Sequence, residues 1–390
     1  MSKHFLIHFL LLAIIAIPMS AEEKKESKFK LTPSGRILID GAVYASPDKY
    51  LFRDGMAIPE ARLGVKMGYG KWSSWIDVGF AYGKIGLRNM WIQYDFNEHN
   101  NLRVGNYLQP FGYQGPTTGN NKATFEQPLA SALFTPGLQL GMLYTFQNPS
   151  MYSATGFHVE SNALTNVTNY PLFNQQGFTF LTRFVYRNKF AGQNGKPILH
   201  GGISLSFSTP DTHLVDNEDI HEGFTNSATF PTKVSTMTAI SAVVGSSRNR
   251  FKLSPELLLG YKRFALESQY FFQTISRKYG LTSFNAHGAY VTLRTMILGG
   301  DYSYDASIAH LSHPKKNALE FVADYNYATL SDHKAKIFGG RANSFNFTLN
   351  YYFNAYITAR LNYAYTYVWD REDVLPLTQN AIQLRLMVLF

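Results

Sequence analysis

Cysteine is absent from the 390-residue chain. That excludes thiolate nucleophiles, iron–sulfur clusters, Cys-ligated zinc and any disulfide framework. Charge is scarce too: Asp, Glu, Lys and Arg make up 16% of the chain, against roughly 25% in ordinary soluble domains. Past residue 20, no apolar run comes near the roughly 18 residues that a membrane-spanning helix requires. The 36 basic residues outnumber the 27 acidic ones, a formal charge of +9. They form no long runs, so a nucleic-acid partner is not expected. Neither a Gly-rich phosphate loop nor a His-Glu-x-x-His pattern occurs, and neither enzyme activity nor a cofactor is expected. His310 and His313, the closest approach to a metal-binding pair, stand near Pro314 and read as a solvated turn. Ser268 and His287 could be taken for a nucleophile and its base, but parity turns them different ways.

What the chain has in quantity is apolar and aromatic: 45% hydrophobic residues, with 30 Phe and 25 Tyr. At the amino terminus Lys3 precedes an apolar stretch from Phe5 to Ile17, then Pro18-Met19-Ser20-Ala21. That order predicts a cleaved export signal over 1–21. The charged residues that follow, Glu22-Glu23-Lys24-Lys25-Glu26, predict a flexible lead-in over 22–35. Residues 36–390 then read as a single domain.

That domain alternates with period two. Phe345, Phe347, Leu349, Tyr351 and Phe353 alternate with Ser344, Asn346, Thr348, Asn350 and Tyr352. Leu138, Leu140, Met142, Tyr144 and Phe146 do the same against Gln139, Gly141, Thr145 and Gln147. Strands of about ten residues with one apolar and one polar face are the pattern of a transmembrane antiparallel β-barrel. A soluble sandwich uses shorter strands, and a lipocalin-like barrel needs far less chain. Tyr and Phe gather at strand ends, as in Tyr270-Phe271-Phe272 and Tyr351-Tyr352-Phe353, where membrane–water interfaces favour amphipathic rings. The all-β class follows, with the bilayer of a bacterial outer membrane as surroundings.

Seventeen strand candidates can be marked, from 36–45 to 379–390. A barrel with both ends on the periplasmic side needs an even number. Counting sides inward from each terminus agrees only if one strand between 187 and 251 is false. Residues 234–244, with Ser, Thr and Ala on both faces, are the weakest. They are assigned to an outer loop of roughly 209–250, which leaves sixteen strands. The connection 298–317 is unusually long for the periplasmic side.

Residues 85–113 read Ile-Gly-Leu-Arg-Asn-Met-Trp-Ile-Gln-Tyr-Asp-Phe, then Leu102-Arg103-Val104-Gly105 and Gln109-Pro110-Phe111-Gly112. With Phe125-Glu126, Leu140-Gly141, Glu256, Ala318-Leu319-Glu320-Phe321 and Leu349-Asn350-Tyr351-Tyr352-Phe353-Asn354, this resembles the phosphate-selective porin O and P family over most of the chain. The resemblance implies a 16-stranded, homotrimeric porin whose third extracellular loop folds into the lumen and whose pore prefers anions. The ending Ile382, Leu384, Leu386, Val388 and Phe390 resembles the closing strand of such barrels, whose assembly machinery recognises the terminal aromatic. Where the family's loop motif places arginines, this chain has Gln127 and Gln139.

Parity turns Arg36, Arg62, Lys66, Arg103, Arg183, Arg187, Lys252, Arg263, Arg294, Arg360 and Arg385 inward. It does the same for Asp40, Asp77, Asp95, Glu256, Glu267, Glu320 and Asp324. Arg62, Lys66, Arg103, Arg183, Arg187, Arg263, Arg294 and Arg360 are therefore candidates for the pore lining, with Lys122 and Glu126 from the third loop. A converging set of arginines, which gripping phosphate would require, is missing from that loop. The expectation is a water-filled diffusion channel for small anionic or neutral solutes with a weak, general anion preference. The rival is a non-conducting barrel that serves as a scaffold.

Overall fold

The computed structural model describes residues 28–390 except 83, 118, 120–121, 160–175, 194, 216–218, 315 and 373. The proposed export signal, and the lead-in up to residue 27, lie outside the described residues. Sixteen antiparallel strands close into a barrel. They are β1 (Lys30–Tyr44), β2 (Gly55–Tyr69), β3 (Trp72–Ala81), β4 (Lys84–Asp95), β5 (Asn100–Leu108), β6 (Leu138–Gln147), β7 (Met151–Val159), β8 (Phe178–Arg187) and β9 (Ile198–Ser208). After an interruption come β13 (Ser247–Tyr261), β14 (Phe264–Arg277), β15 (Phe284–Leu298), β18 (Ala318–Asp332), β19 (Ile337–Tyr352), β20 (Ile357–Arg371) and β21 (Leu377–Leu389). β21 pairs with β1 to close the ring, from Arg36↔Leu389 to Tyr44↔Ala381. Closure leaves the wall no open edge, the condition for backbone at membrane depth.

Each strand presents one face outward. Phe345, Phe347 and Leu349 are 42%, 44% and 38% exposed, while Ser344, Thr348 and Asn350 between them are buried. Ile382, Leu384 and Leu386 point out in the same way, while Gln383 and Arg385 point in. The lower end, where β1 starts and β21 finishes, carries tight turns such as Gly70–Lys71, where Gly70 takes a positive φ of 58°. Residues 30–35, expected in the lead-in, pair with β2 from Lys30↔Gly68 to Gly35↔Leu63. Arg263, expected to point inward from a strand, lies instead in the exposed two-residue turn between β13 and β14.

Three segments fill the lumen. The third upper loop, 109–137, carries the helix α1 (Leu129–Phe134). The upper connection between β9 and β13 forms a separate three-stranded sheet of β10 (Asp211–Val215), β11 (Asp219–Thr229) and β12 (Thr238–Gly245). Segment 234–244 is thus outside the wall, yet much of it is a strand rather than plain loop. β12 packs against β18, β19 and β20. Its Ser, Thr and Ala suit it to that crossing, because neither face is apolar enough for lipid. The third segment, 299–317, enters from the lower end and forms the short pair β16 (Tyr304–Asp305) and β17 (His310–Leu311). Its length is explained by its course inside the barrel.

An apolar core forms where the two upper segments meet the wall. Leu129, Leu133 and Phe134 of α1, with Phe224, Phe230, Ile240 and Val244, pack on Phe271, Tyr290, Leu330 and Val368. Small inward residues make room: a Cβ on Gly339 would come within 2.7 Å of Ala242 Cβ. Such close packing fixes the segments in place.

Candidate functional site

The carbonyls of the third loop need partners once they leave water, and the far wall supplies them. Arg360 donates to Lys122 O (2.6 Å) and Thr124 O (3.1 Å), Asn350 to Ala123 O (2.8 Å) and Arg385 to Phe125 O (2.6 Å). The loop therefore lies across β19, β20 and β21. Arg385 also grips both oxygens of Asp40 (2.7 and 2.6 Å) and reaches Glu126 (2.5 Å). Burial would raise the Glu126 carboxyl, but Lys233, Arg385 and Lys122 hold it down to about 2.

The lower segment is held in the same fashion. Arg187 donates to Ala306 O (2.7 Å). Arg183 pairs with Glu256 (2.6 Å) and reaches Ala309 O (3.3 Å). His310 is buried rather than solvated and stacks on Tyr113 of the third loop, centroids 4.0 Å apart. The Leu311 N–H donates to Tyr113 Oη (3.2 Å). Burial pulls the His310 imidazole down to about 3, so it is neutral. His313 is partly buried beside Tyr352. Arg294 bridges Glu320 (2.9 Å) and Glu267 (3.6 Å). Lys252 donates to Phe134 O (3.0 Å). Arg183, Arg187, Arg294 and Arg360 are thus buried anchors beneath inserted segments. A buried guanidinium so engaged presents little charge to open space.

Two larger cavities lie on the other side, along β1 to β7, against one of about 260 Å³ between the lower segment and β15 and β18. A cavity of about 360 Å³ sits between the third loop and the wall, lined by Arg36, Glu60, Arg62, Asn89, Lys122 and Gln127 among others. Below it a vestibule of about 850 Å³ shares Asn89 and Leu108 with the upper cavity. It extends to Gly70, Lys71, Asn97 and Glu98 at the lower turns. Lys66 and Arg103 line this vestibule. Of the residues singled out from sequence, Arg62 and Lys122 line the upper of these adjoining cavities, and Lys66 and Arg103 the lower. Glu126 is turned away to Arg385 and Lys233 (3.6 Å).

In the upper cavity Arg36 and Arg62 both pair with Glu60, and Arg62 reaches Asp77 at 3.5 Å. Asp77 also accepts from the Asn89 side chain (3.0 Å). Lys122 Nζ donates to Gln127 Oε1 (3.2 Å). Desolvation draws its ammonium down to about 8, while Glu126 opposes the fall. Three cations against two carboxylates leave this neck with one excess positive charge while Lys122 is protonated. Glu60 has the parity of Arg62 and Lys66 on β2, so regular alternation already places it on the inward face, although it is not among the carboxylates singled out above.

Residues 33–390 match the family model described as phosphate-selective porin O and P. No curated protein matches the chain in sequence. Solved structures with the same fold include the anion-selective porin from Comamonas acidovorans (10% identity, 93% of this chain and 100% of that one, TM-score 0.57). Others are the trimer form of OmpT of Vibrio cholerae (11%, 93% and 99%, 0.57) and the outer membrane channel DcaP of Acinetobacter baumannii (11%, 95% and 99%, 0.52). A closed barrel of sixteen strands, a loop folded across its lumen and a family match over almost its whole length make this chain an outer-membrane porin of the phosphate-selective porin O and P family.

Proposed function

We propose that the chain is a water-filled diffusion channel for small anionic or neutral solutes, with its path confined to the side of β1 to β7. The observation that carries this reading is the pair of adjoining cavities, the upper lined by Arg36, Arg62 and Lys122 and the lower by Lys66 and Arg103, stacked along that side of the lumen. Its preference for anions is weak and general. Arg36 and Arg62 already lean on Glu60, so neither offers phosphate a free guanidinium fork of the kind that grips oxyanions. Diffuse charge in a watery path is screened beyond about 8 Å at physiological ionic strength. A homotrimer fits the trimer form recorded for the Vibrio cholerae neighbour. Porin-family membership favours the channel over the scaffold. Reversal potentials in asymmetric KCl test the proposal: a modest anion preference that declines with salt is expected. A cation-selective or non-conducting barrel would overturn it.

A further inference from the structure

The vestibule holds a second kind of chemistry. Lys66, Trp75, Trp91 and Gly105 are successive cross-strand neighbours on β2, β3, β4 and β5. Gly105, at φ 135°, leaves no side chain beside Trp91; a Cβ there would lie 2.9 Å from Trp91 Cβ. Trp75 and Trp91 stand edge to face with centroids 6.5 Å apart, and both line the open space. Lys66 Nζ lies 5.0 Å over the Trp75 ring, and the Arg103 guanidinium 4.3 Å over Trp91. Arg103 is held in that pose by Gln93 Oε1, which accepts from Nε (3.0 Å) and Nη2 (2.7 Å).

A ring quadrupole attracts a cation without cancelling its charge. Among the described residues neither Lys66 nor Arg103 has a direct ion-pair partner; Asp95, which accepts from the Gln93 side chain (2.7 Å), acts on Arg103 only at longer range and lines the same space with Glu98. Two cations without a direct ion pair therefore flank two half-buried indoles in a concavity whose volume suits a small organic ligand. We infer that the vestibule binds planar aromatic carboxylates, with the carboxylate between Lys66 and Arg103 and the ring against the indole pair. Inorganic phosphate could use the cations but not the rings. A neutral sugar could use the rings but would leave the cations unanswered. That the bound molecule then crosses the neck rests on the channel reading above; the binding itself does not.

The test is tryptophan fluorescence of the purified, folded barrel titrated with benzoate. A saturable change is expected, far weaker with acetate, phosphate or the non-planar cyclohexanecarboxylate. Arg103→Gln or Lys66→Gln should weaken benzoate binding about tenfold, the scale of one charge-assisted hydrogen bond. Trp91→Phe keeps an aromatic face and should retain binding while losing most of the signal. Heat-modifiable gel migration checks that each variant is folded. A response that survives both charge substitutions would overturn the site, as would no saturable response or equal responses to phosphate or cyclohexanecarboxylate. A barrel that binds benzoate but passes no current would sink the channel proposal and leave this one standing.

Discussion

Arg360→Met perturbs the hold on the third loop with little change to the outer wall. The side chain is fully buried and points inward beside outward-facing Leu361. Methionine keeps the apolar stem but removes the donors to Lys122 O and Thr124 O. It also removes the cost of burying a guanidinium, so the net effect is set by two orphaned carbonyls at about 1–3 kcal/mol each if they stay dry. Water entering from the upper cavity offsets part of this, which leaves about 2 kcal/mol, or roughly a 30-fold shift from docked towards undocked loop. Asn350 and Arg385 still hold neighbouring carbonyls, so the loop loosens around Lys122 rather than leaving the lumen. The expected result in planar bilayers is higher mean conductance, greater current noise and a weaker anion preference, since Lys122 loses its fixed place. A folded variant with wild-type conductance and noise would refute the anchoring role.

The Lys122 ammonium, lowered to about 8 by burial, is charged below that pH and neutral above it. Anion preference should therefore decline from pH 7 to pH 9. Glu126, Lys233, Arg36 and Glu60 surround the group, and Lys122→Gln should abolish the decline; a pH-independent reversal potential would contradict this. Leu349→Arg places a cation on the outward face and should destabilise the barrel by about 2–4 kcal/mol if it lies near the bilayer midplane, read as a lower denaturant midpoint in lipid. Gly340 has a φ of 103°, and a Cβ there would lie 2.7 Å from Ile240 Cγ2. Gly340→Val should cost about 1–3 kcal/mol by overpacking and expose loop 209–246 to protease while the barrel stays folded.

The wall is legible in the sequence because lipid and water demand opposite things of neighbouring residues. Phe345, Phe347 and Leu349 against Ser344, Asn346 and Thr348 leave one assignment of faces, and length does the rest. Side counting removes 234–244 from the wall, but β12 stays hidden: a strand packed between loop and wall meets neither lipid nor bulk water, so its Ser, Thr and Ala show no contrast. The connection 299–317 is visible only as a length out of place. Its course inside the barrel depends on Arg183 and Arg187, distant in sequence from the carbonyls they hold. Parity finds which charges face inward; it says nothing of which are then covered. That is why Arg62 and Arg360 look alike in the sequence, whereas one borders open space and the other lies under the third loop. Arg263 is misplaced for a simpler reason, a turn displaced by a residue or two.

If the open path hugs β1 to β7 while the opposite half of the lumen is filled, thiol chemistry should tell the two halves apart. The chain has no native cysteine, so single cysteines can be introduced and probed in a conducting bilayer. Arg62→Cys and Lys66→Cys should react rapidly with a charged thiol reagent and alter the current. Thr348→Cys, inward but fully buried beneath the inserted segments, should stay unreactive in the folded barrel. Rapid modification of Thr348→Cys, with Arg62→Cys protected or current unchanged, would contradict this division of the lumen.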